Sequence, residues 1–253
     1  MNNQVTRIGL VVPPGNVAME RELPNYIPPN VAINTNRLSR PTAEVTPESL
    51  LAMNASLDRA ANDLSMCYPA PGVILYGCTS GGFILGPEKE KQWASDVSAA
   101  CGIKVVTTTS TVVDALSSLS ARKVFLVTPY IDAVNAHVIS FLEASGVAIS
   151  GYDSFRVPDT RNVAKIASEE VGGLVLKHRR EIAGCDAVLI SCTNLLTMDQ
   201  IDMLETALEV PVLTSNQCSL WGALRAVGAM AANNSPGQLF KGMRQRDSIS
   251  SVA

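Results

Sequence analysis

A repeat constrains this chain more than any other feature of it. Gly72–Ser80 reads GVILYGCTS and Asp186–Asn194 reads DAVLISCTN. At a shift of 114 residues Cys78 falls on Cys192 and Thr79 on Thr193. Each segment is a short apolar run, rich in β-branched residues, of the length of a strand buried on both faces. The pattern extends upstream. Arg7–Val12 (RIGLVV) aligns with Arg122–Val127 (RKVFLV) at a shift of 115, with Pro14 on Pro129. Between and after these runs come helical spacings and short strands in the same order in both halves. Strands alternating with helices predict a parallel sheet in each half. The expected fold is therefore α/β: two pseudo-symmetric domains, each with a central, mostly parallel sheet flanked by helices, facing one another across a cleft. The expected domains are 1–117 with 217–253, and 118–216.

Local signals divide the rest. Val31–Asn36 alternates like an edge strand. Thr46 is an N-cap candidate with Pro47 at the first helical position, and Leu50, Met53, Leu57, Ala61 and Leu64 follow at helical spacing. Pro87 opens a helix that Gly102 closes, and Asp132 opens one that Gly146 closes. Further helices are expected over Asn162–Ala183, Met198–Glu209 and Gln217–Ala232, the last packing back on the first half. The polar tail, Arg244–Ala253, is expected to fray.

Composition narrows the function. A net charge of −3 without a basic run excludes nucleic acid as the expected partner. No apolar run reaches the roughly 18 residues of a membrane span, and the N-terminus lacks the pattern of a signal peptide, so a cytoplasmic protein is expected. Charged residues are only 17%, below the usual quarter or so, which predicts surface buried between subunits of a homo-oligomer, a dimer or tetramer. Six cysteines without a Cys-x-x-Cys pair, and two histidines, predict free thiols and no zinc. The spacing around Gly9 and Gly15 is not a dinucleotide fingerprint, and GCTSGG lacks the lysine of a P-loop. No cofactor or metal is expected. His137 and His178 fall in helical segments and suggest no catalytic triad.

The chemistry then rests on the strand ends. In open α/β sheets ligands bind at the C-terminal edge, where Cys78 and Cys192 both lie, one on each wall of the cleft. Most free cysteines are packing residues; the matched positions single these two out. Backbone N–H groups of such turns favour an anion and predict a thiolate below the free-thiol value of about 8.5. Two thiols facing one carbon can add to it, or exchange a proton on opposite faces. Thr79, Ser80, Thr193 and Asn194 are turn formers that could also bind a carboxylate. Asn16, behind Pro14, and Tyr130 are equivalent donors on the loops after the first strand of each half.

These motifs carry a resemblance over nearly the whole chain. RIGLVVPPGN with Glu20, Glu22 and Pro24, VTPESLLAMN at 45–54, YGCTS, VTPYIDAVN and SCTNLLTMDQI resemble the aspartate/glutamate racemase superfamily, in its maleate cis–trans isomerase and arylmalonate decarboxylase branch. The resemblance implies that Cys78 adds to the double bond of a cis diacid, that the adduct rotates and eliminates as the trans diacid, and that Cys192 handles the proton. It implies that Asn16 and Tyr130 hold carboxylates, and that Asn162, or Thr160, in the 157–162 loop supplies a further contact. In the racemases two such thiols invert a carbon beside a carboxylate. In the decarboxylases only the thiol matching Cys192 is present, and Thr79, Ser80, Tyr130 and Thr193 would line the pocket for an enediolate. Here Thr79-Ser80 follow the first cysteine, where maleate isomerases carry apolar residues. The expected function is a cofactor-independent isomerase of a small carboxylic acid, first of the maleate type. Racemisation, arylmalonate-type decarboxylation and non-catalytic dicarboxylate binding stand as alternatives.

Overall fold

In a computed structural model the backbone is described for residues 5–250 and the side chains for 5–244. The first half runs β1 (Thr6–Val12), α1 (Ala18–Glu22), β2 (Val31–Arg37), α2 (Pro47–Asn54), α3 (Leu57–Ser65), β3 (Val73–Tyr76), α4 (Thr79–Phe83), α5 (Pro87–Cys101), β4 (Val105–Thr107) and α6 (Thr108–Ser118). The second runs β5 (Lys123–Thr128), α7 (Asp132–Ala144), β6 (Ala148–Ser154), α8 (Thr160–Val163), α9 (Ser168–Lys177), α10 (Arg179–Ile182), β7 (Ala187–Ile190), α11 (Ile201–Leu208) and β8 (Val212–Thr214). It is followed by α12 (Ser215–Ala226) and α13 (Gly237–Ser250).

The two sheets have the same strand order, β2-β1-β3-β4 and β6-β5-β7-β8, and every pairing within them is parallel. The repeated apolar runs are the inner strands. Val73–Tyr76 and Ala187–Ile190 are buried along their whole length, as parallel strands covered by helices on both faces must be. The last rungs fall at matching points: Gly77 donates to Val11 O at 2.7 Å, and Ser191 to Val127 O at 2.8 Å. One residue later each chain leaves its sheet at a cysteine.

Local signals hold at several boundaries. Thr46 caps α2 with a reciprocal bond to Ser49, and Gly102 and Gly146 adopt positive φ past α5 and α7. Other boundaries differ. The helical spacing from Leu50 to Leu64 breaks at Ala55-Ser56 into α2 and α3, because Ser56 Oγ bonds Met53 O at 2.7 Å and its N–H also turns back to Met53 O. The long helix expected over Asn162–Ala183 is three short ones, α8 to α10. Asp132 is the first residue of α7 rather than its cap, which is Ile131. The helix expected over Gln217–Ala232 ends at Ala226 and packs on α6 and β3 of the first half. Where a frayed tail was expected, α13 continues to Ser250 and packs on β8 and α11; Arg244 ties it to Ala232 O at 3.1 Å. The end of that tail, 251–253, lies outside the described residues. Among the described residues no helix is long and apolar enough to cross a membrane.

Candidate active site

The loops after β1, β3, β5 and β7 converge at the C-terminal edges of the two sheets, at the switch between outward-running strand pairs where α/β sheets bind ligands. They enclose a cavity of about 30 Å³. Pro13, Asn16, Arg40, Val45, Cys78, Ser80, Tyr130, Thr160, Val163, Cys192, Thr193 and Asn194 line it. Both thiols face it, with 4% of Cys78 and 8% of Cys192 exposed.

The two cysteines sit in unlike turns. Cys78 caps the helical turn α4, its Sγ accepting from Gly81 N–H at 3.3 Å and lying 3.8 Å from Ser80 Oγ. That turn passes so close to Tyr76 that a Cβ on Gly81 would stand 2.1 Å from the phenol oxygen; only glycine fits. Cys192 enters an irregular turn, and its Sγ accepts from Asn194 N–H at 3.4 Å. The N–H donors are where the sequence placed them, but the expected low thiol pKa is corrected. Burial raises Cys78 from 9.0, against the opposing pull of Gly81 N–H, Ser80, Tyr76 and the Arg40 cation. Burial pushes Cys192 up to about 11, against Tyr130 and the N–H groups of Asn194 and Leu195, and a charge on Cys78 pushes it the same way. Desolvating a thiolate this completely outweighs a few dipoles. Burial thus holds both thiols toward the neutral form, and the pair is ordered within that: Arg40 pulls Cys78 toward thiolate, and a charge on Cys78 adds to burial in keeping Cys192 protonated.

Tyr130 stands beside both thiols. Its phenol is buried and raised well above 10.0 by desolvation, then by Cys192, with the Thr79 hydroxyl opposing. At neutral pH it is a donor. Thr79 lies behind it, fully buried, and donates to Ser215 Oγ at 3.0 Å.

The remaining expected residues divide. Thr193 and Asn194 line the cavity but also join the halves. Asn16 Nδ2 donates to Thr193 O at 3.0 Å and to Thr193 Oγ1 at 3.1 Å. Asn194 Oδ1 accepts from Val17 N–H at 3.0 Å, and Asn194 Nδ2 donates to Gly15 O at 3.3 Å and Thr160 O at 3.1 Å. Pro14 is exposed and the preceding Pro13 lines the cavity instead, because the chain turns outward there, closed by Asn16 N–H to Pro13 O at 3.0 Å. Asn162 is also outside, exposed and accepting from Lys165 Nζ at 2.9 Å. Thr160, two residues earlier, faces in, its methyl packed where a Cβ on Gly15 would stand 2.3 Å away.

Three residues have places in the site that the motifs did not assign to them. Arg40 and Val45 arrive on the segment between β2 and α2, which docks on the other half through Val45 N–H to Pro158 O at 3.0 Å and Thr160 N–H to Ala43 O at 3.3 Å. Glu22 is a buried carboxylate whose Oε1 accepts from Thr197 and Met198 N–H, both at 2.7 Å, and whose Oε2 accepts from Asn216 Nδ2 at 2.6 Å; Asn216 also holds Leu195 O at 3.1 Å. It thereby pins the turn that carries Cys192. The clue in the sequence was a glutamate six residues past Asn16 in an otherwise buried helix face. Neither histidine lines the cavity: His178 stacks on Phe125 and bonds Asp153 at 2.8 Å. Among the described residues no cluster of three or more His, Cys, Asp or Glu could hold a metal ion.

Comparison with known proteins gives a consistent neighbourhood. The family described as arylmalonate decarboxylase matches residues 8–240. A maleate isomerase of Nocardia farcinica is 31% identical over 247 residues, covering 94% of this chain and 96% of that one. An arylmalonate decarboxylase of Bordetella bronchiseptica is 29% identical over 236 residues, covering 92% and 95%. Among solved structures, a cysteine-to-serine mutant of the Nocardia farcinica maleate cis-trans isomerase, with a covalently bound succinylcysteine intermediate, superposes with a TM-score of 0.83 at 28% identity, covering 93% of this chain and 98% of that one.

Proposed function

Because the chain belongs to the arylmalonate decarboxylase family, we propose that it is a two-thiol isomerase of a small carboxylic acid, with maleate-type cis–trans isomerisation as its reaction. One observation carries this reading: Cys78 and Cys192 line a single cavity, with the Tyr130 phenol beside both. A decarboxylase of this family type needs one thiol; the second is superfluous there and necessary here.

The steps follow from the ordered pair. Cys78 reacts as its thiolate, the form that the Arg40 charge favours against burial, and adds its Sγ to one alkene carbon of maleate. The π pair moves to the neighbouring carbon and into its carboxylate as an enediolate, which preorganised donors stabilise; Tyr130 and Ser80, which line the cavity, are suited to this. Cys192, held neutral, gives its proton to that carbon and becomes the thiolate, leaving an S-succinyl adduct. The central bond is now single and rotates. Cys192 takes the proton back, the double bond re-forms trans, and the S–C bond to Cys78 breaks. Every electron pair and proton is returned, so no redox partner or electron sink is required. Thiols kept free by a reducing cytoplasm fit this chemistry, and a homo-oligomer remains part of the proposal on the low surface charge.

The cavity of about 30 Å³ holds a water or two, so a four-carbon diacid needs its walls to move apart, and an aromatic acid needs a much larger opening. This favours a small acid over an arylmalonate. The Tyr130 hydroxyl beside the thiols also suits racemisation, in which the two cysteines exchange protons on opposite faces of a carbon.

NMR of maleate in D₂O with enzyme tests the reading. Fumarate is expected. Cys78→Ser and Cys192→Ser should each lower turnover by about a thousandfold or more, and Cys192→Ser should accumulate an adduct on Cys78 visible by mass spectrometry. Substantial activity in both variants would overturn the two-thiol mechanism. Inversion with α-deuteration of a chiral acid, or release of CO₂ without fumarate, would overturn maleate-type isomerisation in favour of racemisation or decarboxylation.

A further inference from the structure

The donors that line the cavity are mostly committed to the protein itself. Both N–H protons of Asn16 Nδ2 go to Thr193, at 3.0 and 3.1 Å. Asn194 Nδ2 is held by Gly15 O and Thr160 O. Thr193 Oγ1 donates to Gly77 O at 3.1 Å. Three side chains with the right chemistry for a carboxylate are thus engaged in joining the two halves, and Asn162 lies outside. Ser80 and Tyr130 stand at the thiols.

Arg40 remains, and it is the one charged side chain among the residues that line the cavity. Its Nε donates to Thr42 O at 2.8 Å and its Nη2 to Ala43 O at 2.9 Å. Of a guanidinium's five N–H donors, the others have no partner among the described residues. No carboxylate there lies in ion-pair contact with it. Asp159, whose charge it feels, is engaged by Arg161, through Nε at 3.0 Å and the backbone N–H at 2.8 Å. Cys78 is the other group whose charge it feels, and that charge is lost when Sγ adds to the substrate; the free donors of the half-buried guanidinium are then open to an anion that comes with the ligand. Its position is also determined. Ala43 O, which holds Nη2, is the same oxygen that accepts from Thr160 N–H at 3.3 Å across the cleft, so the guanidinium is set as the 38–46 segment docks.

We propose that Arg40 anchors a second carboxylate of the substrate, so that the site selects small dicarboxylates over the corresponding acids with one carboxylate neutralised. The proposal rests on the reading of this cavity as the substrate site, and it adds to that reading the charge of the substrate and the residue that senses it. One carboxylate sits against the donors beside the thiols, where the enediolate forms. The other pairs with the free edge of Arg40, a charge-assisted contact that Arg makes with bidentate geometry and Lys does not.

Calorimetry with succinate and with its monoamide tests this without turnover, since neither has a double bond to react. Wild-type protein should bind succinate at least tenfold more tightly than the monoamide. Arg40→Gln should weaken succinate by about 10- to 100-fold while changing the monoamide little, so that the preference disappears. Arg40→Lys keeps the charge, controls for folding and should fall between. A wild-type protein with no preference for the diacid, or an Arg40→Gln protein that keeps it, overturns the proposal. The outcomes separate from those of the isomerase assay. Fumarate formation with an Arg40-independent preference removes the anchor and leaves the reaction. An Arg40-dependent preference without fumarate removes the reaction and leaves the anchor.

Discussion

The ionisation of Cys192 gives the most direct test of how this cavity sets its chemistry. Burial pushes the thiol from 9.0 up to about 11. A rise of about two pKa units is about 2.7 kcal/mol of preference for the neutral form. The sign for stability follows from proton binding. Between the two values the unfolded chain has released the proton that the folded chain retains, so stability falls as pH rises. The contribution is complete below pH 9 and is lost as pH rises through 9 toward 11 and beyond. Wild-type protein should therefore lose up to about 2.7 kcal/mol more than Cys192→Ser over that window, measured as urea unfolding free energy from about pH 8 to about pH 11. In parallel, the ultraviolet thiolate absorbance of wild type minus Cys192→Ser should show a midpoint near 11. In a Cys78→Ser background the midpoint should fall, because the neighbouring anion that raises it is gone. A Cys192 midpoint below 9, or equal alkaline slopes in wild type and Cys192→Ser, would refute the argument that desolvation dominates the turn's N–H dipoles, and with it the assignment of Cys192 as the neutral proton donor.

Two further outcomes follow from the contacts that hold the site together. Glu22→Ala removes the acceptor of Thr197 N–H, Met198 N–H and Asn216 Nδ2; with three buried donors left unpaired it should cost about 3 kcal/mol or more of urea stability, and kcat should fall because the Cys192 turn loses its tether. Gly15→Ala drives a methyl to within 2.3 Å of Thr160 Cγ2; it should weaken diacid binding, and Thr160→Ser in the same chain, which removes the opposing methyl, should recover most of the loss in a double-mutant cycle.

The repeat in the sequence was sufficient to specify two like sheets, because runs such as Val73–Tyr76 and Ala187–Ile190 are apolar at every position and have no stable place except the middle of a covered parallel sheet. With that came the position of Cys78 and Cys192 one residue past the last rung. Boundaries carried by single residues, Thr46 with Pro47 and the glycines at 102 and 146, were legible for the same reason: cap and left-handed positions are local. What lay beyond the sequence was everything decided between the halves. Whether Pro13 or Pro14, Thr160 or Asn162, faces the cavity depends on one or two residues of loop register, which no periodicity encodes. Arg40 carries no motif; it reaches the site because the 38–46 segment docks on residues more than a hundred positions away. Asn16 and Asn194 have the composition of ligand donors, but the tertiary contacts engage them in joining the two loops. The thiols show the difference most plainly. Sequence supplies the N–H dipoles that lower a thiol pKa, since those come from the adjacent turn. Burial, which raises it, is produced by the rest of the fold closing over the cavity, and in a low-dielectric interior it is the larger effect.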